Sequence, residues 1–343
     1  MNENKILHVM ILDKFLAPFI DFVDENFGRD NHHYVFITSE KYEYGLTPEH
    51  KVEFLYTDDD IFITLLKYMK MSKKIILHGL WRDKVDILLY FNQELLKKCY
   101  WVMWGGDFYF PEKQTWFRHK VIKEIGFLVT GTTGDYELAK KWYKASGEHI
   151  KCFNYPSNLY KDFNMQPKIH NTINIQLGNS ADPTNHHIEI LQNLTKFKNE
   201  NIQIFVPLSY GNKEHAKNVI LKGKEIFGDK LIALTEFMPF EKYMKFLSKI
   251  DIAIFAHKRQ QAMGNTITLL GLGKKVYLDP ISTLNGVFEE YNIKVFNSYK
   301  IDLSLLDIKI KENNINYVKF NFSKEVLIKS LSSWIGETNE FNI

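Results

Sequence analysis

Three side chains able to grip phosphate stand together in this 343-residue chain: Arg259, Gln260 and Gln261. They follow the apolar run Ile252-Ala253-Ile254-Phe255-Ala256. They precede Gly264-Asn265-Thr266 and a second apolar run, Ile267 to Leu272. The first run has the length of a buried parallel strand, and the second reads as a helix. A cation and two amides thus leave the carboxyl end of a strand and enter a helix start. Ligands of open α/β sheets collect on that edge. Free N–H groups and the helix dipole favour phosphate there. A guanidinium fork matches diphosphate oxygens, and it can stabilise charge developing on a departing diphosphate. The segment reads as the diphosphate clamp of a nucleotide-sugar enzyme, with a rim salt bridge as the competing role for Arg259.

Other strand ends carry candidate groups. Gly178-Asn179-Ser180 follows the run Ile173–Leu177. The glycine permits a tight turn, and the amide, hydroxyl and backbone N–H groups can donate to phosphate or sugar. It is not a three-glycine dinucleotide fingerprint, which disfavours a nicotinamide cofactor. Tyr210, after Pro207, can stack on a base or sugar. Glu236, after Leu231–Leu234, can hold ribose hydroxyls. In the first half, Trp104-Gly105-Gly106-Asp107-Phe108-Tyr109 places a carboxylate past a strand end, behind two glycines that admit a close ligand. Asp107 is the preferred general base, with a turn or N-cap aspartate as the bland alternative. His78, before Gly79, is the second candidate. His186-His187 lacks the cysteine or carboxylate partners of a metal motif.

The elements that must position these groups alternate along the chain. Strand-like runs fall at Ile6–Ile11, Tyr34–Thr38, Val52–Tyr56, Lys74–His78, Tyr100–Trp104 and Phe127–Thr130. Helical spacing covers Asp60–Met71, Asp86–Cys99 and Asp135–Ser146. A polar linker spans Asp162 to His170. The pattern then restarts with strands at Ile173–Leu177, Ile202–Pro207, Leu231–Leu234, Ile252–Ala256 and Val276–Leu278. Helices are expected near His186–Phe197, Lys213–Phe227 and Phe240–Lys249, with a final amphipathic one over Ser323–Ile335. The fold class is α/β, with two doubly wound Rossmann-like domains facing across a cleft, residues 1–165 and 166–343, the final helix free to pack back on the first. Phe15, Leu16, Phe19, Ile20 and Phe22 read as core, with a membrane-facing patch as the alternative.

Composition narrows the function class. Hydrophobic content is 45%, charge 25% and aromatics 15%, which fits a folded protein with rings to spare for grooves or sugar stacking. A net charge of +3 is too weak a bias to argue for nucleic acid, and none is expected as a partner. Two cysteines, Cys99 and Cys152, form no disulfide framework, and a reducing cytoplasm is expected. The N-terminus lacks a signal-peptide pattern, and no apolar run is long enough to span a bilayer.

These motifs, in this order, resemble a known family. His78-Gly79, Trp104 to Tyr109, Leu177-Gly178-Asn179-Ser180, Val206 to Tyr210 and Arg259-Gln260-Gln261 are similar to the bacterial TDP-N-acetylfucosamine:lipid II N-acetylfucosaminyltransferases, glycosyltransferase family 56. The resemblance runs from about His78 to Leu278. Gly106 stands where the family has alanine, and Ala262–Thr266 lengthens the step after Gln261. The resemblance implies a GT-B fold and no essential metal or other cofactor. It implies transfer of 4-acetamido-4,6-dideoxygalactose from a TDP donor to a lipid-linked saccharide, as in common-antigen, O-antigen or other surface-polysaccharide assembly; from the residues alone the donor is a nucleoside-diphosphate sugar, TDP or UDP. The enzyme would be cytoplasmic and peripheral on the inner membrane. Arg259 would be catalytic. Gly178, Asn179, Ser180, Tyr210, Glu236, Gln260, Gln261, Gly264, Asn265 and Thr266 would bind the donor. Trp104, Gly105, Gly106 and Tyr109 would bind the acceptor. A nucleotide-sugar epimerase of the same plan and a non-catalytic nucleotide-sugar or glycan binder are the alternatives.

Overall fold

Runs that are apolar without alternation need cover on both faces, and the chain supplies it with helices between parallel strands. The computed structural model describes residues 4–162 and 171–336. It divides into two compact units, Met1–Leu159 with Lys324–Ile343, and Tyr160–Ser323.

In the first unit the elements are β1 (Ile6–Met10), α1 (Leu16–Phe27), β2 (His32–Ile37), β3 (Glu53–Leu55), α2 (Leu66–Met71), β4 (Lys74–His78), α3 (Asp83–Tyr90), β5 (Cys99–Val102), α4 (Trp116–Glu124), β6 (Phe127–Val129), α5 (Thr133–Tyr143) and β7 (Glu148–Ile150). The seven strands are parallel, in the order β3-β2-β1-β4-β5-β6-β7. The order reverses between β1 and β4, where such sheets open a crevice at their carboxyl ends. β1 is buried throughout and splits its side chains by parity. Leu7 and Val9 join one apolar layer, and Ile6 and Met10 the other.

α1 was not expected as a helix, yet its apolar positions have helical spacing. Leu16, Phe19, Ile20, Val23 and Phe27 are all buried, and so is Phe22. The Phe15–Phe22 cluster is therefore core and half-buried rim, not a membrane face. The Asp86–Cys99 helix breaks after Tyr90. The Asn92 side chain takes the Leu88 carbonyl at 2.8 Å, and a tight turn over Gln93–Lys98 leads into β5. α4 escaped notice because few of its side chains are buried. Its start is set by the Thr115 hydroxyl, which accepts the Arg118 N–H at 3.2 Å.

The second unit runs β8 (Ile173–Leu177), α6 (His187–Leu194), β9 (Ile202–Pro207), α7 (Lys213–Phe227), β10 (Leu231–Leu234), α8 (Phe240–Leu247), β11 (Ile252–Phe255), α9 (Met263–Gly271), β12 (Lys275–Leu278), α10 (Leu284–Glu290), β13 (Phe296–Asn297) and α11 (Ile308–Asn321). Its parallel sheet has the order β10-β9-β8-β11-β12-β13. Here β8 and β11 flank the reversal. In register, Leu177 lies opposite Ile254, and the Gly178 N–H bonds the Ile254 carbonyl at 2.9 Å. That pairing sets the Gly178 turn beside the loop leaving β11. A last helix, α12 (Lys324–Ser332), belongs to the first unit. Its Leu327 and Leu331 enter that core together with Trp334 and Ile335. The expected linker Asp162–His170 lies, past Asp162, outside the described residues.

Candidate functional site

In the second unit, β8 and β11 end side by side, and the residues that follow them interlock. Gly178 turns with φ +70, and a Cβ there would lie 2.6 Å from both Asn185 Oδ1 and His187 Nε2. Only glycine lets that buried pair close in. Asn185 is fully buried, and its amide donates to the Asp182 carbonyl at 3.0 Å, which orients Oδ1 inward. That oxygen accepts the Asn179 N–H at 2.9 Å and lies 2.8 Å from His257 Nε2. His257 Nε2 also lies 3.1 Å from Asn179 Oδ1. Two amide oxygens face this nitrogen, so it carries the proton and donates. Burial, then the charge of Arg259, pushes the His257 pKa down to about 3. The imidazole is neutral.

The outer shell of this network is polar and partly open. Asn179 donates to the Tyr210 hydroxyl at 3.2 Å, and Gln261 to Asn179 Oδ1 at 3.4 Å. Thr184 reaches Gln261 Oε1 at 3.0 Å and Asp182 Oδ1 at 2.7 Å. Arg259 lies 3.9 Å from Asp182, with its side chain 20% exposed. Burial disfavours the Asp182 anion, but the Thr184 bonds and Arg259 outweigh it and hold its pKa below the usual value. So loose an ion pair leaves the guanidinium able to turn to an incoming anion. Ala262, at φ +59, then bends the chain into α9. Met263, Gly264 and Asn265 stand in the first turn, where N–H groups lack helical acceptors.

The structure thus gathers Gly178, Asn179, Tyr210, Gln261 and Arg259, with Ser180 joined through Asn185 at 3.4 Å. Gln260 is half-buried beside Arg259. Two expected donor contacts change. Thr266 is fully buried, and both its N–H and its hydroxyl bond the Ala262 carbonyl at 2.9 Å. It closes the first turn of α9 and has nothing left for a ligand. Glu236 stands exposed after the edge strand β10, outside the network. Asp182, Thr184, Asn185 and His257 were missed. The signal available for His257 was its place directly after the β11 run.

The carboxyl edge of the first unit is built differently. Asp107, the expected base, is fully buried. Its carboxylate accepts the Leu80 N–H at 3.0 Å, the Trp101 indole N–H at 2.7 Å and the Trp104 N–H at 3.1 Å. Saturated and sealed, it ties the loops after β4 and β5 together and cannot take a proton from a substrate. His78 is fully buried too. It sits in a chain of hydrogen bonds: His32 to His8 at 2.9 Å, His8 to His78 at 3.1 Å, and His78 to the Tyr155 hydroxyl at 2.8 Å. Trp104 Nε1 donates to the same hydroxyl at 2.8 Å. An indole N–H can only donate, so the Tyr155 oxygen accepts there and its own O–H can donate to His78. Burial lowers the pKa of His78 and of His32 to about 3 and that of His8 well below its ordinary value. The base reading of His78 fails with that of Asp107.

The acceptor-side residues are corrected as well. Tyr109 is buried, and its hydroxyl donates to Asp135 at 2.7 Å. Gly105 turns at φ +86, and its carbonyl accepts the Phe108 and Tyr109 N–H groups. The glycines admit a side chain, not a ligand. A Cβ on Gly106 would lie 2.7 Å from the Trp81 ring, and one on Gly79, at φ +79, would overlap the Trp81 indole nitrogen. Trp81 went unnoticed in the sequence. Trp104 remains half-buried, edge-on to Trp81 and to Phe15 at 5.9 and 5.8 Å between centroids.

The fold has close relatives in shape. A glycosyltransferase from Rickettsia africae matches with a TM-score of 0.67 at 14% identity, over 97% of this chain and 98% of the other. A UDP-forming α,α-trehalose-phosphate synthase from Burkholderia xenovorans matches with 0.65 at 10% identity, over 97% and 98%. The lipopolysaccharide outer core galactosyltransferase WaaB matches with 0.63 at 8% identity, over 96% and 99%. These likenesses establish the GT-B fold. The model of the 4-alpha-L-fucosyltransferase family, glycosyl transferase group 56, matches residues 11–305. With most of its length covered by that model, the chain belongs to glycosyltransferase group 56 and is a glycosyltransferase.

Proposed function

We propose that this enzyme moves a deoxyamino sugar, 4-acetamido-4,6-dideoxygalactose, from a TDP donor to a lipid-linked saccharide during surface-polysaccharide assembly. The observation that carries the donor half is the meeting of Arg259, Gln261 and the start of α9 with the Asn179–Asn185–His257 network. Neutral histidine and amide dipoles suit the nucleotide's polar edges. Arg259 and the first N–H groups of α9 suit its diphosphate. In this reading Arg259 neutralises the leaving diphosphate without a metal ion.

The enzyme acts at the cytoplasmic face of the inner membrane. No helix among the described residues is long and apolar enough to cross a bilayer. Exposed rings just past α3 and on α4 favour a peripheral contact: Phe91 is 72% exposed and Trp116 55%, joined through Tyr90, with Lys120 over the Trp116 ring at 5.2 Å. Aromatic rings with lysines suit the headgroup layer.

The test is a thermal-shift screen of nucleoside diphosphates, followed by transfer assays with and without EDTA. TDP should stabilise most, since ligand binding shifts folding by mass action. Transfer to a lipid-linked saccharide should survive EDTA. Conversion of the donor sugar without acceptor would mean an epimerase. Tight binding without product under any acceptor would mean a binding protein.

A further inference from the structure

We propose that Asp182 is a resident counter-anion for Arg259, displaced by the diphosphate of a bound nucleotide, and that its charge promotes release of the nucleoside diphosphate product. This rests on the donor reading above and adds a residue that sets how tightly that site retains its product.

The backbone that carries Arg259 is tied at both ends. His257 Nε2 lies 3.1 Å from Asn179 Oδ1, and the Gln261 amide donates to the same oxygen at 3.4 Å. The loop from His257 to Gln261 is thus closed on one atom of the turn after β8. With its feet held there, the part of the loop left to turn is the Arg259 side chain. Asp182 is fixed as firmly. Its Oδ1 accepts the Thr184 N–H at 2.9 Å and the Thr184 hydroxyl at 2.7 Å. The other oxygen, Oδ2, faces Arg259 Nη2 at 3.9 Å, too far for a hydrogen bond. Among the described residues this is the guanidinium's one ion pair. A phosphate offers the directed, forked bonds that this carboxylate does not, so it takes the guanidinium when it arrives.

The carboxylate is charged at neutral pH. Burial opposes the anion, but the Thr184 bonds and Arg259 hold its pKa below the usual value. Around it, His187, His215 and His257 all have lowered pKa values, chiefly through burial, so none of the three shares the carboxylate as an imidazolium. Lys258, the next cation along the loop, is exposed. Asp182 then acts twice on a nucleotide: it competes for the guanidinium, and it repels the phosphates. The repulsion differs between substrate and product. Departure of the sugar frees a terminal phosphate, whose second proton leaves at about pH 6 and adds nearly one negative charge at neutral pH. Asp182 therefore weakens product binding more than donor binding. Product release is the slow step of many enzymes, and a fixed anion beside the clamp speeds it.

Calorimetric titration of the full chain with TDP tests this at about 50 and about 500 mM NaCl, under weak and strong screening. Asp182→Asn keeps the Oδ1 acceptor that Thr184 needs and removes the charge. It should bind TDP at least threefold more tightly than the wild type at low salt, and the gain should shrink at high salt. The gain should be smaller for TDP-linked 4-acetamido-4,6-dideoxygalactose. It should also be smaller in an Arg259→Ala background, where there is no cation to compete for. In transfer assays, inhibition by added TDP should strengthen by the same factor. Urea midpoints show whether the variant folds, and Asp182→Ser, which keeps an oxygen for the Thr184 N–H, takes its place if it does not. A folded variant that gains less than twofold in TDP affinity overturns the counter-anion. So does an equal gain with and without Arg259. An equal gain for TDP and for the sugar donor overturns the role in product release. A wild type that binds no nucleoside diphosphate removes the donor reading and this inference with it.

Discussion

The carboxyl edges of the two sheets are built to one plan and finished in different materials. Each has a strand that ends at a positive-φ glycine beside the reversal of strand order: Gly79 after β4 in the first unit and Gly178 after β8 in the second. Each has buried, neutral histidines behind it. In the first unit the space that glycine frees is filled by the Trp81 ring. In the second it is filled by Asn185 and His187. One edge becomes an aromatic wall over a sealed polar chain, and the other a polar cradle with a cation at its mouth. A strand-Gly motif therefore reports that something approaches the backbone closely, and says nothing of whether that thing is a ligand, a ring or an amide.

The sharpest way to break the comparison is at the cation. Arg259→Ala should lower kcat/KM for transfer by about 100- to 1000-fold, the usual effect of removing one charge-stabilising donor. A loss below about fivefold in steady-state assays would reduce Arg259 to the partner of Asp182. The next effect falls on stability in the first unit. Asp107→Ala strands three donors, two of them buried, and should cost about 3 kcal/mol or more. Urea unfolding measures this. Unchanged stability with lost turnover would restore the catalytic reading of Asp107.

A smaller and graded effect separates sealed histidines from exposed ones. His32 and His78 fall from 6.5 to about 3 on folding. The unfolded chain therefore binds more protons below pH 6.5. The stability these groups lend is whole above that pH and drains away as pH falls toward 3, by up to about 1.4 kcal/mol per pH unit for each. Arg29, Lys5 and Lys73 add positive charge around His32, and His8 and His33 lie in the same cluster. Urea midpoints from pH 7 to 5 should fall steadily, and His78→Gln should flatten the slope. A slope unaltered by His78→Gln would mean that His78 is solvated. The smallest effect belongs to Glu236. Glu236→Ala should change TDP affinity less than twofold, and a tenfold loss by calorimetry would bring it back into the donor site.

Much of the frame was legible from pattern alone. Lys74–His78, Ile173–Leu177, Ile202–Pro207, Leu231–Leu234 and Lys213–Phe227 were read with the bounds they have in the structure. Short apolar runs bounded by turn residues suit parallel strands covered by helices. α1, α4 and α11 escaped because their boundaries are set by contacts, such as the Thr115 cap and the packing of Phe19 and Val23, more than by propensity.

In the site the division is cleaner. Residue types and their place at strand ends were enough to select Gly178, Asn179, Gln261 and Arg259, because parallel sheets send those positions to one edge. They were also enough to select Asp107, Tyr109 and Thr266, which the fold then buried. Whether a carboxylate or hydroxyl meets a substrate depends on which donors converge on it from elsewhere in the chain. For Asp107 those are Leu80, Trp101 and Trp104. Pattern determined which groups stand at the edge. Only tertiary packing decided which of them keep a free valence there, since satisfying a buried polar group and offering it to a ligand are competing uses of the same atoms.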